Sequence, residues 1–222
     1  MFKKFGLSAT PIRNLIETDT FRFRARDPLK PVFLSNRNLE VHYGVDDVLR
    51  AFALIQKRIP EAILTVAGNG PARIKLEQLA VDLKLTNIQF VGRVEHDHIT
   101  DLYNSCDVFL NASLIDNQPL SILEAFACGL PIVTTTAGGI PYMVDQERTA
   151  LLVEKHDYQS LANAALRLLN EPALAKRLVA EGKRECEKYS WKAVRTQWLD
   201  LYSQVGGGGP VSAHISGCAQ RR

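Results

Sequence analysis

The chain reads as an α/β protein: a doubly wound parallel sheet, Rossmann-like, with a helical carboxy-terminal end. Two observations predict this. From about residue 31, short runs rich in Val, Ile, Leu and Phe alternate with longer stretches whose apolar residues recur at helical spacing. Beyond residue 157 the short runs stop and only the helical pattern continues. A length of 222 residues, 46% apolar and 23% charged, suits one sizeable domain with a real core.

The elements follow in order. Pro31–Ser35 (PVFLS) is the first strand. Val45–Lys57 is a helix with Val48, Leu49, Phe52 and Ile55 on one face. Ala62–Ala67 is the second strand, and Gly68–Pro71 (GNGP) turns into a helix carrying Ile74, Leu76, Leu79 and Leu83. Ile88–Val91 is the third strand, Ile99–Asn104 a helix and Val108–Asn111 the fourth strand. A helix between Asp116 and Gly129 precedes the strand Ile132–Thr135. Ala150–Val153 is a last short strand, and Tyr158–Asn170, Pro172–Tyr189 and Ser190–Val205 are helical. Residues 1–30 are basic, with Lys3, Lys4, Arg13, Arg22, Arg24 and Arg26, and have little periodicity; they read as a linker to a domain spanning 31–205. The segment 206–222 opens with four glycines, has no packing pattern and is expected to be disordered.

Composition excludes several function classes. A net charge of +3 is too small to argue for nucleic acid. No apolar run approaches a spanning length, and no secretory apolar region opens the chain. Cys106, Cys128, Cys186 and Cys218 lie far apart without metal spacing, so reduced thiols in a cytoplasmic protein are expected. His96 and His98 make an unconvincing metal pair without a third ligand, and no metal is expected.

The most informative stretch is Asp116–Pro141, DNQPLSILEAFACGLPIVTTTAGGIP. Pro119 suits an early helix position, where it needs no N–H partner, with Asn117 or Gln118 at the cap. Ile122, Leu123, Phe126 and Ala127 give the helix an apolar face, and Gly129 then Pro131 end it. A helix that begins at the carboxyl end of a strand presents free N–H groups, here those of Leu120 and Ser121, to an anion such as phosphate. Glu124, one turn further on, is placed to accept hydrogen bonds from ribose hydroxyls, and Asp116 to face the sugar side of the same ligand. A second reading of Glu124 stays open: an acidic residue near a helix start complements the dipole and needs no ligand.

This pattern resembles the donor-site signature of the retaining group-1 glycosyltransferases, whose fold is called GT-B. Other landmarks agree. Ile12–Phe21 is similar to the family's domain-connecting segment, and Ser35–Gly44 resembles the loop that offers Arg and Lys to the donor diphosphate. Arg37 matches the Arg, whereas Tyr43 stands at the Lys position. Ala67–Pro71 matches the glycine-rich turn, with Gly68 and Gly70. Phe90–Val94, with Val91 and Arg93, resembles the strand end whose backbone contacts the base. Gly138–Pro141 (GGIP) matches the loop after the signature strand, with Tyr142 where an acidic residue is usual. Ser190–Tyr202 resembles the closing helix. In the family the first signature carboxylate is usually Glu; here it is Asp116.

The resemblance implies a hexosyltransferase-type enzyme that binds a nucleotide-diphosphate sugar and transfers the sugar with retention. Asp116 and Arg37 would be its catalytic residues. Glu124, Leu120, Ser121, Asn117, Gly68, Gly70, Val91, Arg93, Gly138 and Gly139 would bind the donor. No cofactor is implied, because the nucleotide-sugar is a substrate. The family uses two such domains, and this chain resembles the carboxy-terminal one, so little transfer is expected from it alone. Expected partners are the donor and either an acceptor-domain polypeptide or a second copy. Expected location is the cytoplasm, with any membrane contact peripheral, at the inner face. Two other functions compete: a non-catalytic nucleotide-sugar binding module, and another nucleotide-sugar enzyme of the same fold such as an epimerase.

Overall fold

A computed structural model describes Gly6, Thr10 and residues 12–205. Lys3, Lys4 and the segment 206–222, with Cys218, lie outside the described residues. Among the described residues, six parallel strands form one sheet: β1 (Val32–Asn36), β2 (Ile63–Ala67), β3 (Ile88–Gly92), β4 (Val108–Asn111), β5 (Ile132–Thr135) and β6 (Leu151–Val153). The helices are α1 (Val45–Arg58), α2 (Arg73–Asp82), α3 (His96–Ser105), α4 (Leu120–Cys128), α5 (Tyr158–Asn170), α6 (Pro172–Glu187) and α7 (Trp191–Val205). The expected α/β class and the helical carboxy-terminal end are both present.

The strand order is β3-β2-β1-β4-β5-β6. The chain winds outward from β1 to β3, returns to place β4 against β1, and winds outward again to β6. β1 and β4 are in register at Phe33 with Val108 and Leu34 with Phe109. Their carboxyl ends therefore border the topological switch point, where ligands of such sheets sit. β4 (VFLN) and β5 (IVTT) are buried along their whole length, on both faces, which is why neither alternates apolar with exposed polar residues.

Two apolar clusters cover the two faces. One joins Phe33, Val48, Leu49, Phe52, Leu64, Leu110, Leu161 and Leu178. The other joins Leu34, Tyr103, Phe109, Ile122, Leu123, Phe126, Ile132 and Tyr189. Most boundaries agree with the sequence reading to within a residue or two. α3 begins earlier than expected, at His96. α2 differs in its face: Leu76 and Ala80 are buried, whereas Ile74 is 81% exposed. α2 packs on α1 at the margin of the helical layer, where there is less surface to cover.

The basic segment before β1 packs onto the domain. Ile16 and Phe21 are buried in the second cluster, and Ile16 bridges Ser190 at the start of α7. The Arg26 side chain is 1% exposed. Its guanidinium donates to the carbonyls of Tyr103, Cys106, Cys128 and Gly129, the loose ends of α3 and α4. Burial and the neighbouring Arg24 push its pKa down to about 10. Asp107, itself 4% exposed, accepts from Arg24 and from the Lys30 N–H. Periodicity carries no trace of these contacts, since each rests on one polar side chain.

Candidate functional site

An open cleft of about 890 Å³ lies at the carboxyl ends of β1, β2, β3 and β4. Arg37 enters it from the loop after β1, Gly68 and Gly70 from the turn after β2, and Arg93 from beyond β3. Asp116 comes from the loop after β4, and Leu120, Ser121 and Glu124 from the first turns of α4. Strand order brings together groups as far apart in sequence as residues 37 and 124. A smaller apolar hollow of about 300 Å³ lies near the opposite end of the sheet, beside Phe23, Leu168 and Val179. Arg26, Asp27 and Lys176 border that hollow too, but Lys176 pairs with Asp27 and Arg26 is taken up by helix-end carbonyls. In the cleft Arg37, Asp116 and Glu124 converge beside a helix start, so the cleft is the candidate site.

Arg37 is at its centre. Its guanidinium pairs with Asp116, and both side chains are 10% exposed. A second nitrogen donates to Ser121 Oγ at 3.0 Å. Its Cζ lies over the Tyr43 ring, 4.2 Å from the centroid. Nε is buried without an acceptor among the described residues. Such a donor is costly unless something supplies the missing acceptor. The loop's backbone is tightly held: Arg37 N–H donates to the Ala67 carbonyl at 3.1 Å. Gly68 (φ +121°) passes so close that a Cβ there would overlap the Arg37 carbonyl.

The start of α4 corrects the expected cap. Pro119 itself occupies the N-cap position, with extended backbone (φ −65°, ψ 116°), and no side chain caps the helix. Asn117 is exposed, and the Gln118 side-chain Oε1 instead accepts from the Asn14 backbone N–H at 3.0 Å. The first helical bond is that of Ile122 N–H to the Pro119 carbonyl, at 3.2 Å. The N–H groups of Leu120 and Ser121 precede it and remain for an external acceptor. Leu120 is 45% exposed and Ser121 is buried.

Glu124 lies below them. Burial raises its pKa, opposed by a hydrogen bond from Tyr103 and by the nearby His96 and Arg37. Tyr103 is fully buried and donates its hydroxyl proton to Glu124 Oε2 at 2.7 Å. Asn36 Nδ2 donates to the same hydroxyl at 3.0 Å. Burial and the Glu124 charge both push the Tyr103 phenol well above its ordinary range. The sequence reading missed Tyr103 and Asn36. That reading gave the helix but singled out no residue on it; Tyr103 falls four residues after Ile99, a spacing that suits the core, and nothing local marked its hydroxyl.

Four expected site residues lie elsewhere. Val91 is 44% exposed on β3 and does not line the cleft; Val94 does. Asn117 and Gly139 line an adjoining hollow with Arg13 and Tyr142. Gly138 and Gly139 pack beneath the loop that carries Asp116. Gly139 N–H donates to the Asp116 carbonyl at 2.8 Å, and a Cβ on Gly138 (φ +52°) would overlap that oxygen. The glycine pair thus sets where Asp116 sits.

Residues 17–185 match the family profile described as glycosyl transferases group 1. Sulfoquinovosyl transferase SQD2 of Arabidopsis thaliana is 30% identical over 192 residues, 82% of this chain and 37% of that protein. A D-inositol 3-phosphate glycosyltransferase of Saccharomonospora viridis is 32% identical over 171 residues, 72% of this chain and 39% of that protein. Among solved structures, a sucrose-phosphate synthase from Thermosynechococcus elongatus superposes with a TM-score of 0.79 at 26% identity. That match covers 89% of this chain and 53% of that one. The chain spans less than half the length of either of these curated relatives.

Proposed function

The chain belongs to the group-1 glycosyl transferases, as a GT-B carboxy-terminal domain, and from this premise we propose that its cleft binds the nucleotide-diphosphate sugar of a retaining sugar transfer. One observation carries the reading. Arg37, the free N–H groups at the start of α4 and the carboxylates of Asp116 and Glu124 converge in one cleft at the switch point.

Each group has a role its chemistry permits. The diphosphate accepts from Leu120 and Ser121 N–H at the positive end of the α4 dipole, and from Arg37. Glu124 accepts from ribose hydroxyls through the carboxylate oxygen that Tyr103 does not occupy. Arg37 and Asp116 neutralise each other in the cleft. A diphosphate that engages Arg37 releases the Asp116 carboxylate toward the sugar. As the bond between the anomeric carbon and the diphosphate breaks, negative charge grows on the leaving oxygen. Arg37 and the helix start stabilise that charge and need no metal ion to do so. Transfer also needs an acceptor held in line with the anomeric carbon, so it belongs to an assembly in which an acceptor-binding half faces this cleft. The exposed side chains of Val41, Ile115 and Tyr142, in the connections after β1, β4 and β5, and of Leu120 at the start of α4 offer that half a surface.

Calorimetric titration with UDP, GDP and ADP in the presence of chelator tests the reading. Saturable binding of at least one is expected. Binding that appears only with magnesium or manganese removes the proposed role of Arg37 and the helix start. No binding to any of them removes the nucleotide site.

A further inference from the structure

The geometry points to Tyr43 as the positioning residue for Arg37: its ring holds the guanidinium in the plane from which it meets the diphosphate. This rests on the nucleotide-binding reading above. Tyr43 stands where the resembling family has its Lys, which leaves that phosphate cation missing or replaced. The structure puts an aromatic face there, 4.2 Å beneath the guanidinium carbon.

The ring is itself firmly placed. Tyr43 closes a short helical turn, Val41–Tyr43, and its N–H donates to the Glu40 carbonyl at 3.0 Å. The next residue, Gly44 (φ +60°), abuts the Ala112 carbonyl so closely that no side chain fits. The His42 carbonyl accepts from Leu114 N–H at 2.8 Å and from Ile115 N–H at 3.3 Å. The Tyr43 turn is therefore laced to the same loop that runs on to Asp116. One framework sets the ring, the guanidinium and the carboxylate.

The chemistry favours this arrangement over two adjacent cations. A lysine at 43 would repel Arg37 and loosen it, whereas the ring quadrupole attracts the guanidinium. The attraction is stronger at a site as dry as Arg37, whose side chain is 10% exposed. A flat, fixed guanidinium offers paired N–H groups to phosphate oxygens, which a flexible ammonium does not. Tyr43 does not touch the reacting atoms; it acts through Arg37.

A double-mutant cycle separates this from a plain structural role. Tyr43→Leu, Tyr43→Phe, Arg37→Ala and Arg37→Ala/Tyr43→Leu are titrated with UDP, GDP and ADP, and each is unfolded in urea. Tyr43→Phe keeps the ring and should bind within about twofold of wild type. Tyr43→Leu should weaken nucleoside diphosphate binding about 5- to 30-fold. In the Arg37→Ala background, the same change should cost nothing further. An equal loss in both backgrounds, or no loss in either, overturns the proposal. The urea curves keep the two readings apart. Coupling of Tyr43 with Arg37 in stability, without nucleotide binding by any variant, overturns the proposed function and upholds the pairing. Absent coupling in both measurements overturns the pairing alone if wild type binds nucleotide.

Discussion

Replacing Glu124 by Gln should act in opposite directions on binding and on stability. Glu124 sits on the first turns of α4, its Oε2 engaged by the Tyr103 hydroxyl at 2.7 Å. A glutamine carbonyl accepts the same bond, so local packing survives. What is lost is charge. Hydrogen bonds from ribose hydroxyls to a carboxylate are charge-assisted, and their loss costs about 1.5–3 kcal/mol, or about 10- to 150-fold in affinity. Stability should move the other way. Burial raises the Glu124 pKa above its ordinary 4.5, so the folded protein disfavours the charged form. A raised carboxylate pKa means the penalty is absent in acid. It appears as pH climbs from the ordinary carboxylate range through the folded value, and it is fully present above that. Near neutral pH, Glu124→Gln should therefore be at least as stable as wild type, and in acid the two should converge. Calorimetry with the tightest-binding nucleoside diphosphate, with urea unfolding at both pH values, reads both effects. Unchanged affinity would return Glu124 to an ordinary helix residue that needs no ligand. A clear loss of stability near neutral pH would refute the claim that the carboxylate is held there at a cost.

Two further outcomes follow from the same geometry. Asp116→Ala should weaken a nucleotide-sugar more than the bare nucleoside diphosphate, by about 1–3 kcal/mol in the difference, because the carboxylate is aimed at the sugar. Equal losses for the two ligands, titrated side by side, would refute that aim. Arg26→Met should lower stability by about 3 kcal/mol or more, since four helix-end carbonyls lose a buried donor. A urea midpoint and slope equal to wild type would show that water replaces it without cost.

Much of this molecule was legible in the chain itself. β4, β5 and α5 have the boundaries expected, because apolar runs bounded by polar residues or by Pro and Gly leave few alternatives. The alternation of strands and helices was enough for the sheet class. The helix start at Pro119–Ser121, with its unmade N–H bonds, was also readable, although its cap was not. Asn117 has better capping chemistry than Pro119, yet its side chain caps nothing and Pro119 takes the position. Local propensity had no knowledge of where the loop after β4 must go.

Only the tertiary structure decided the rest, for one physical reason: it depends on pairs distant in sequence. Strand order is not written in any one strand, but it alone brings the loop after β1 to the loop after β4 and makes Arg37 and Asp116 partners. The Tyr103 hydroxyl finds Glu124 across two helices, and the Tyr43 ring finds Arg37 across a turn. Arg26, one of several basic residues in an aperiodic stretch, is buried because two helix ends meet where it lies. Hydrophobic periodicity records which face of an element is covered. It does not record which single polar atom will meet another once the sheet has closed.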